Sequence, residues 1–186
     1  MFYWIILCYA QYRLLLKFVA LTGLRIGDVL DDITSGKYRL YKYKEHYYIK
    51  NFTTHKYQVE IKYLFLPTEL TTMIQSIYPQ DLKNLDLTKL FLTRNNTRIK
   101  EKDFLERLKK ISEEIGIDGN AKIHDLRKYF RGQIGKCKAV TKEFKEHLTG
   151  HKIKLSQYLN KLKDINYFYS QWLKIEELIC IDCEII

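Results

Sequence analysis

The spacing of apolar and polar positions changes several times along the chain, and each change predicts an element. Residues 2 to about 21 are apolar on most sides and contain no Gly or Pro, which predicts a helix near the centre of the fold, ended by Thr22-Gly23. A second helix is predicted at once over Leu24 to Leu30, with Arg25 in its first turn and Asp28 one turn further along the same face. From Ile33 to Leu66 the pattern turns to β: Tyr38 to Tyr43, Tyr47 to Thr53 and Val59 to Leu66 read as strands, with Thr54-His55-Lys56 as a hairpin tip and Pro67 as the stop. Helical spacing returns over Thr68 to Ile77 and ends at Pro79. A polar stretch and a short apolar piece, Leu90-Phe91-Leu92, follow. Further helices are predicted over Lys102 to Ile115, from Lys122 through Arg131, and over Thr141 to Leu148, Leu155 to Leu162 and Ile165 to Ile179. The expected fold is mostly α with a small three-stranded antiparallel sheet, an α+β single domain over residues 1–186.

Charge changes this picture from a bland helical domain to one with a directed surface. The formal net charge is +10, and it is unevenly placed. Between Ala121 and Lys163 twelve Lys or Arg face three acids, so this stretch alone carries +9. Such a surface points to a polyanion, and nucleic acid is the commonest one. The apolar run Phe2 to Ala10 is interrupted by Gln11, Arg13 and Lys17 before it reaches membrane-spanning length, and no signal-peptide pattern surrounds it. Cys8, Cys137, Cys180 and Cys183 suggest reduced thiols, and the lone Cys180–Cys183 pair lacks the partners of a zinc site. No cofactor and no metal are expected.

The basic stretch has its own chemistry. On a helix, His124, Arg127 and Arg131 recur at i, i+3 and i+7 and share a face, beside an apolar stripe of Ile123, Leu126, Phe130 and Ile134. An Arg fork holds two phosphate oxygens at once, and a neighbouring His exchanges a proton with an attacking or leaving group. A solvated basic face is the plain alternative for the stretch alone. Arg25 is a second candidate, because a helix N-terminus gains nothing from a cation and a bound phosphate or Asp28 explains it better. Lys56 projects from a turn, where most lysines are merely solvated.

Taken in order, these groups resemble the catalytic domain of the tyrosine recombinases, the phage-integrase family. Thr22 to Leu30 resembles the family's first Arg box, His124-Asp125-Leu126-Arg127 its His-x-x-Arg box, and Leu148-Thr149-Gly150-His151 its Leu-Gly-His box with Thr149 inserted. The resemblance covers about Leu14 to the C-terminus. It implies a Tyr hydroxyl that attacks a DNA phosphodiester and leaves a 3′-phosphotyrosyl bond, without metal or ATP. Arg25 and Arg127 would clamp the phosphate oxygens, with Asp28 in support, and Lys56 would protonate the leaving 5′-oxygen, with Lys50 and Lys62 as fallbacks. His124 would accept the Tyr proton or hydrogen-bond the phosphate, and His151 would add a donor. The family places its Tyr about nine residues after the last box His. Tyr158 stands seven after His151 and is the first candidate nucleophile, with Tyr167 the runner-up and Tyr169 behind it. Lys122, Lys128, Arg131, Lys152 and Lys154 would contact double-stranded DNA.

The stretch before Thr22 is too short for the family's helical DNA-clamping domain, so that domain is expected to be absent. The same resemblance implies a homo-tetramer on DNA, no membrane partner and a cytoplasmic location, the host's if the source is viral. Heavy Lys, Ile and Tyr usage suits an archaeal virus or mobile element. A type IB topoisomerase shares the catalytic set, and an inactive DNA-binding relative shares the fold; both stay open at this point.

Overall fold

The computed structural model describes residues 2–114, 116, 122–152 and 156–180. In chain order the elements are α1 (Phe2–Thr22), β1 (Leu40–Tyr43), β2 (His46–Thr53), β3 (Glu60–Leu66), α2 (Thr68–Ile77), α3 (Glu101–Glu114), α4 (Ile123–Lys136), α5 (Lys142–Leu148), α6 (Ser156–Lys161) and α7 (Ile165–Ile179). The expected α+β class holds, with β1, β2 and β3 forming one antiparallel sheet in sequence order. Among the described residues no helix is long and apolar enough to cross a membrane.

The centre of the fold is α1, as its unbroken apolar character predicts. Leu14, Leu15, Phe18, Val19 and Leu21 are fully buried, and α1 packs against α2 and α4. Burying a side chain such as Phe18 contributes about 2–3 kcal/mol, so this one helix carries a large share of the core. Its buried Lys17 is paired with Glu69 of α2, which meets the cost of a charge at that depth. The sheet is covered on one side by α7, where Phe65 of β3 lies against Phe168, Tyr169 and Trp172. His46 ties the start of β2 to the same helix through Glu176 (2.7 Å) and the Tyr169 hydroxyl (2.9 Å).

The segment after α1 differs from the expected second α-helix. Residues Asp28–Asp32 form a π-helical turn and Ile33–Ser35 a 3₁₀ turn. Arg25 precedes both as the residue that caps the turn: its carbonyl accepts from the Val29 amide (3.1 Å) and its amide donates to Asp28 Oδ2 (3.2 Å). The side chain three residues on thus returns to the capping amide, which is half of a capping box. Gly27 in the first turn, with no β-carbon and a weak helix propensity, favours this loose geometry over a regular helix.

Candidate active site

The site is assembled where α1 and α5 end, beside the first half of α4 and the β2–β3 hairpin. Gly23 closes α1 with φ +64°, a conformation glycine takes without strain. A β-carbon there would lie 2.1 Å from the Phe130 ring, so only glycine lets α4 approach this closely. That approach brings Arg127 beneath the turn. Its Nη1 donates to the Gly23 carbonyl and its Nη2 to the Thr149 carbonyl (2.5 Å) at the C-cap of α5. Arg127 is 4 % exposed, yet its guanidinium satisfies two helix-end carbonyls, where backbone dipoles favour a cation. Burial, followed by the charges of Arg25 and Arg131, pushes its pKa down to about 10, while Asp28 and Tyr57 act in the opposite direction. Arg127 therefore stays charged at neutral pH, and each terminal nitrogen keeps one N–H for another acceptor.

Arg25 is held more loosely. Its Nη1 stands 3.9 Å from Asp28 Oδ2, and that nitrogen is buried with no hydrogen-bond partner. The guanidinium carbon lies 4.5 Å from the centre of the Tyr57 ring. Asp28, almost wholly buried, also accepts from the His55 amide through Oδ1 (2.8 Å), so one carboxylate fixes Arg25 and the hairpin tip together. On the other side of the tip, Gly150 (φ +68°) packs on Thr54, where a β-carbon would come within 2.8 Å of the threonine methyl. The tip itself is closed by Thr54 and Val59 (2.9 Å) and by the Gln58 amide on the Thr54 carbonyl (3.0 Å). Lys56 is exposed at this tip with its Nζ 5.7 Å from the Tyr57 ring. Of the fallback lysines, Lys62 is paired with Glu60 (2.7 Å) and Lys50 is exposed on β2.

His151 follows α5, with Nδ1 3.3 Å from the Thr149 hydroxyl. Burial, then Arg131, Arg127 and Arg25, lower its pKa, with Glu146 opposing, so its neutral form is favoured. It opens onto a cleft of about 390 Å³ shared with Gln58, Lys62 and Lys152. A separate cleft of about 770 Å³, around Gln11, Tyr78 and Arg94, lies elsewhere. The expected common face of α4 is divided: Arg127 points inward, whereas His124 and Arg131 are exposed one turn before and after it. The reason is that a side chain at the edge of the apolar stripe turns inward once two carbonyls are there to receive it. Lys122, Lys128 and Lys152 are exposed; Lys128 also pairs with Asp125 (2.9 Å). Lys154 lies outside the described residues.

The candidate nucleophile is set apart from these groups. The Tyr158 hydroxyl is bonded to the Thr141 hydroxyl (2.8 Å), at the N-cap of α5. Thr149, which holds Arg127, caps the other end, and about 12 Å of helix rise separates the two caps. Burial pushes the Tyr158 phenol pKa well up; the Thr141 bond opposes this and a hydrogen bond with Tyr167 adds to it. Tyr167 stands beside it on α7, half-buried, and Tyr169 is committed to His46. Among the described residues no group of three or more His, Cys, Asp or Glu side chains is arranged to hold a metal ion.

Two participants were not legible in the sequence. Tyr57 is one tyrosine among fifteen, and its place next to Lys56 in a tight turn is the single available sign. Thr149 read as an insertion, yet its carbonyl holds Arg127 and its hydroxyl holds His151. A family model described as the phage integrase family matches residues 7–154, which takes in Arg25, the hairpin, His124, Arg127 and His151. No curated protein and no solved structure matches the chain.

Proposed function

The chain belongs to the phage integrase family, the tyrosine recombinases, and from that premise we propose that it breaks and rejoins double-stranded DNA at specific sites through a 3′-phosphotyrosyl intermediate. The observation that carries this reading is the concentration of guanidinium charge at one point: Arg25 and Arg131 act on the buried Arg127, and all three act on His151, beside the buried carboxylate of Asp28. Such a site lacks an anion. A DNA phosphate supplies one, and its charge grows as the phosphorus becomes five-coordinate.

In the proposed reaction the phosphate lies between Arg127, locked by two carbonyls, and Arg25, whose buried Nη1 has a hydrogen bond still to make. Two fixed cations stabilise the transition state without reorganising, each on the order of 3 kcal/mol by analogy with an oxyanion donor. The Tyr158 oxygen attacks phosphorus, its proton passes to His124, the bond to the 5′-oxygen breaks, and Lys56 protonates that oxygen. Neutral His151 donates a hydrogen bond to a non-bridging oxygen. A 5′-hydroxyl from a partner strand reverses the steps, so bond energy is conserved and no nucleotide cofactor is needed. Lys122, Lys128, Arg131, Lys152 and Lys154 bind flanking phosphates, and four copies act on two duplexes. Before attack the Tyr158 hydroxyl must leave Thr141, whose bond holds it at the far end of α5.

The test is a nicked duplex that loses its 5′-hydroxyl fragment on cleavage and so traps the covalent complex. Wild-type protein should give a DNA adduct that survives denaturation, and Tyr158→Phe should abolish it while DNA binding persists. An adduct surviving that change moves the nucleophile to Tyr167. Binding without any wild-type adduct would leave a DNA-binding relative that has lost the chemistry, and relaxation of supercoiled plasmid of arbitrary sequence would favour a topoisomerase.

A further inference from the structure

Resting on that reading, we propose that Tyr57 is a positioning residue for the reaction: its ring is the platform that orients the Arg25 guanidinium toward the phosphate. Three features point to it. First, Tyr57 has no place in the core. It is 41 % exposed at a hairpin tip, where a large aromatic gains little by burial. Second, the ring meets the guanidinium carbon at 4.5 Å, within the range of a cation–π contact. A ring placed over the guanidinium carbon restrains the fork without accepting a conventional hydrogen bond from it, so it spends none of the donors a phosphate needs.

Third, although Asp28 fixes the Arg25 backbone, little else fixes its side chain. Its side-chain ion pair with Asp28 is 3.9 Å long, beyond hydrogen-bond reach, and Nη1 is buried without a partner. Arg127, by contrast, is oriented by two backbone carbonyls. The ring supplies for Arg25 what those carbonyls supply for Arg127. It can do so because the turn that carries it is anchored, by the His55 amide on Asp28 (2.8 Å) and Thr54 against Gly150 before the ring and by the Gln58 amide on the Thr54 carbonyl (3.0 Å) after it. The same ring lies 5.7 Å from the Lys56 ammonium, so the proposed acid and the proposed clamp are registered on one object. Arg25 is the nearer of the two cations, and the inference is committed to it.

The experiment uses the full chain and nicked duplexes with a randomised core; the sequence recovered in the wild-type adduct then serves for rate measurements. Tyr57→Leu should slow adduct formation by about tenfold to a hundredfold, as expected for a misplaced catalytic group. Its DNA affinity and thermal midpoint should stay close to wild type, because the side chain is exposed. Tyr57→Phe, which keeps the ring, should restore most of the rate. In an Arg25→Ala background Tyr57→Leu should cost almost nothing more. A methylphosphonate at the scissile position, which removes the charged oxygen, should shrink the Arg25→Ala and Tyr57→Leu defects together.

The inference is overturned, with the recombinase reading intact, if Tyr57→Leu matches wild type, if Tyr57→Phe is as slow as Tyr57→Leu, or if the Leu defect persists in full without Arg25. If the wild type yields no adduct from the randomised pool, the recombinase reading fails and the inference falls with it.

Discussion

The two ends of α5 are built on opposite terms. At its C-terminus Arg127 is clasped by two backbone carbonyls under a turn that only glycine can form, and His151 and the hairpin tip pack around it. At its N-terminus the Tyr158 hydroxyl is held by side chains alone, Thr141 and Tyr167. The proposed phosphate-binding charge of Arg127 is thus fixed in place by the main chain, whereas the proposed attacking group rests on side-chain contacts that rotation of those side chains breaks. The difference follows from what each must do. Cations that stabilise a transition state gain from being immobile before it arrives. A nucleophile that stayed between two guanidiniums would be a permanently exposed reactive phenol.

The comparison can be broken most severely at the clasp. Arg127→Leu removes the charge and leaves two helix-end carbonyls unpaired, at a cost of about 3 kcal/mol or more. For a chain of this size that corresponds to a fall of roughly 6–12 °C in the thermal midpoint. Arg25→Leu leaves no such orphans, so calorimetry should find its midpoint within about 3 °C of wild type. Both variants should lose the DNA adduct. Equal thermal losses would mean that the two arginines are not held by different means.

A smaller effect is expected at His147, in the last turn of α5. It is 3 % exposed, its ring meets Phe168 edge-on at 5.9 Å, and its Nε2 is buried without a partner. Burial lowers its pKa to about 4, with Glu60 opposing. The folded state therefore binds this proton less readily than the unfolded chain, whose His titrates near the usual value of about 6.5. Stability is complete above that value and declines as pH falls toward 4, by about 3 kcal/mol once the folded pKa is passed. His147→Phe keeps an aromatic against Phe168 and has nothing to protonate. Denaturant melts at neutral pH and below pH 4 should show its acid loss reduced by that amount, and an unchanged loss would remove His147 as its source.

The smallest change is at Thr141. Thr141→Val deletes both the bond to Tyr158 and the N-cap that accepts from the Phe144 amide (3.3 Å). Stability should fall by about 1 kcal/mol. Adduct formation should rise by about fivefold, the equivalent of one hydrogen bond no longer holding the phenol back. Thr141→Ser should do neither. A Val variant that is slower than wild type would mean that Thr141 assists the tyrosine instead of detaining it.

Much of this architecture was legible before any coordinates. The strands broke where Pro67 and the Thr54–Lys56 turn required, and α7 runs over Ile165–Ile179 as its periodicity predicted. The boxes around Arg25, Arg127 and His151 could be read because each is a short local string. Less legible was the turn after Gly23, where a capping Asp28 and Gly27 gave a π-turn in place of a helix. The location of the Tyr158 hydroxyl was not legible at all, because counting residues from His151 says nothing about which side chain it meets.

The amino-acid sequence alone determined the elements, the sign and location of the charge, and the set of chemical groups available. It could do so because period, turn residues and caps act within a turn or two of where they are written. Packing decided the rest: that Arg127 is buried on the carbonyls of Gly23 and Thr149, that Tyr57 lies over Arg25, and that Tyr158 faces Thr141. Gly23 and Arg127 are 104 positions apart, and their bond exists only because the Phe130 ring fits where a β-carbon is missing. Contacts of that range are set by the shape of the core, which no local pattern encodes.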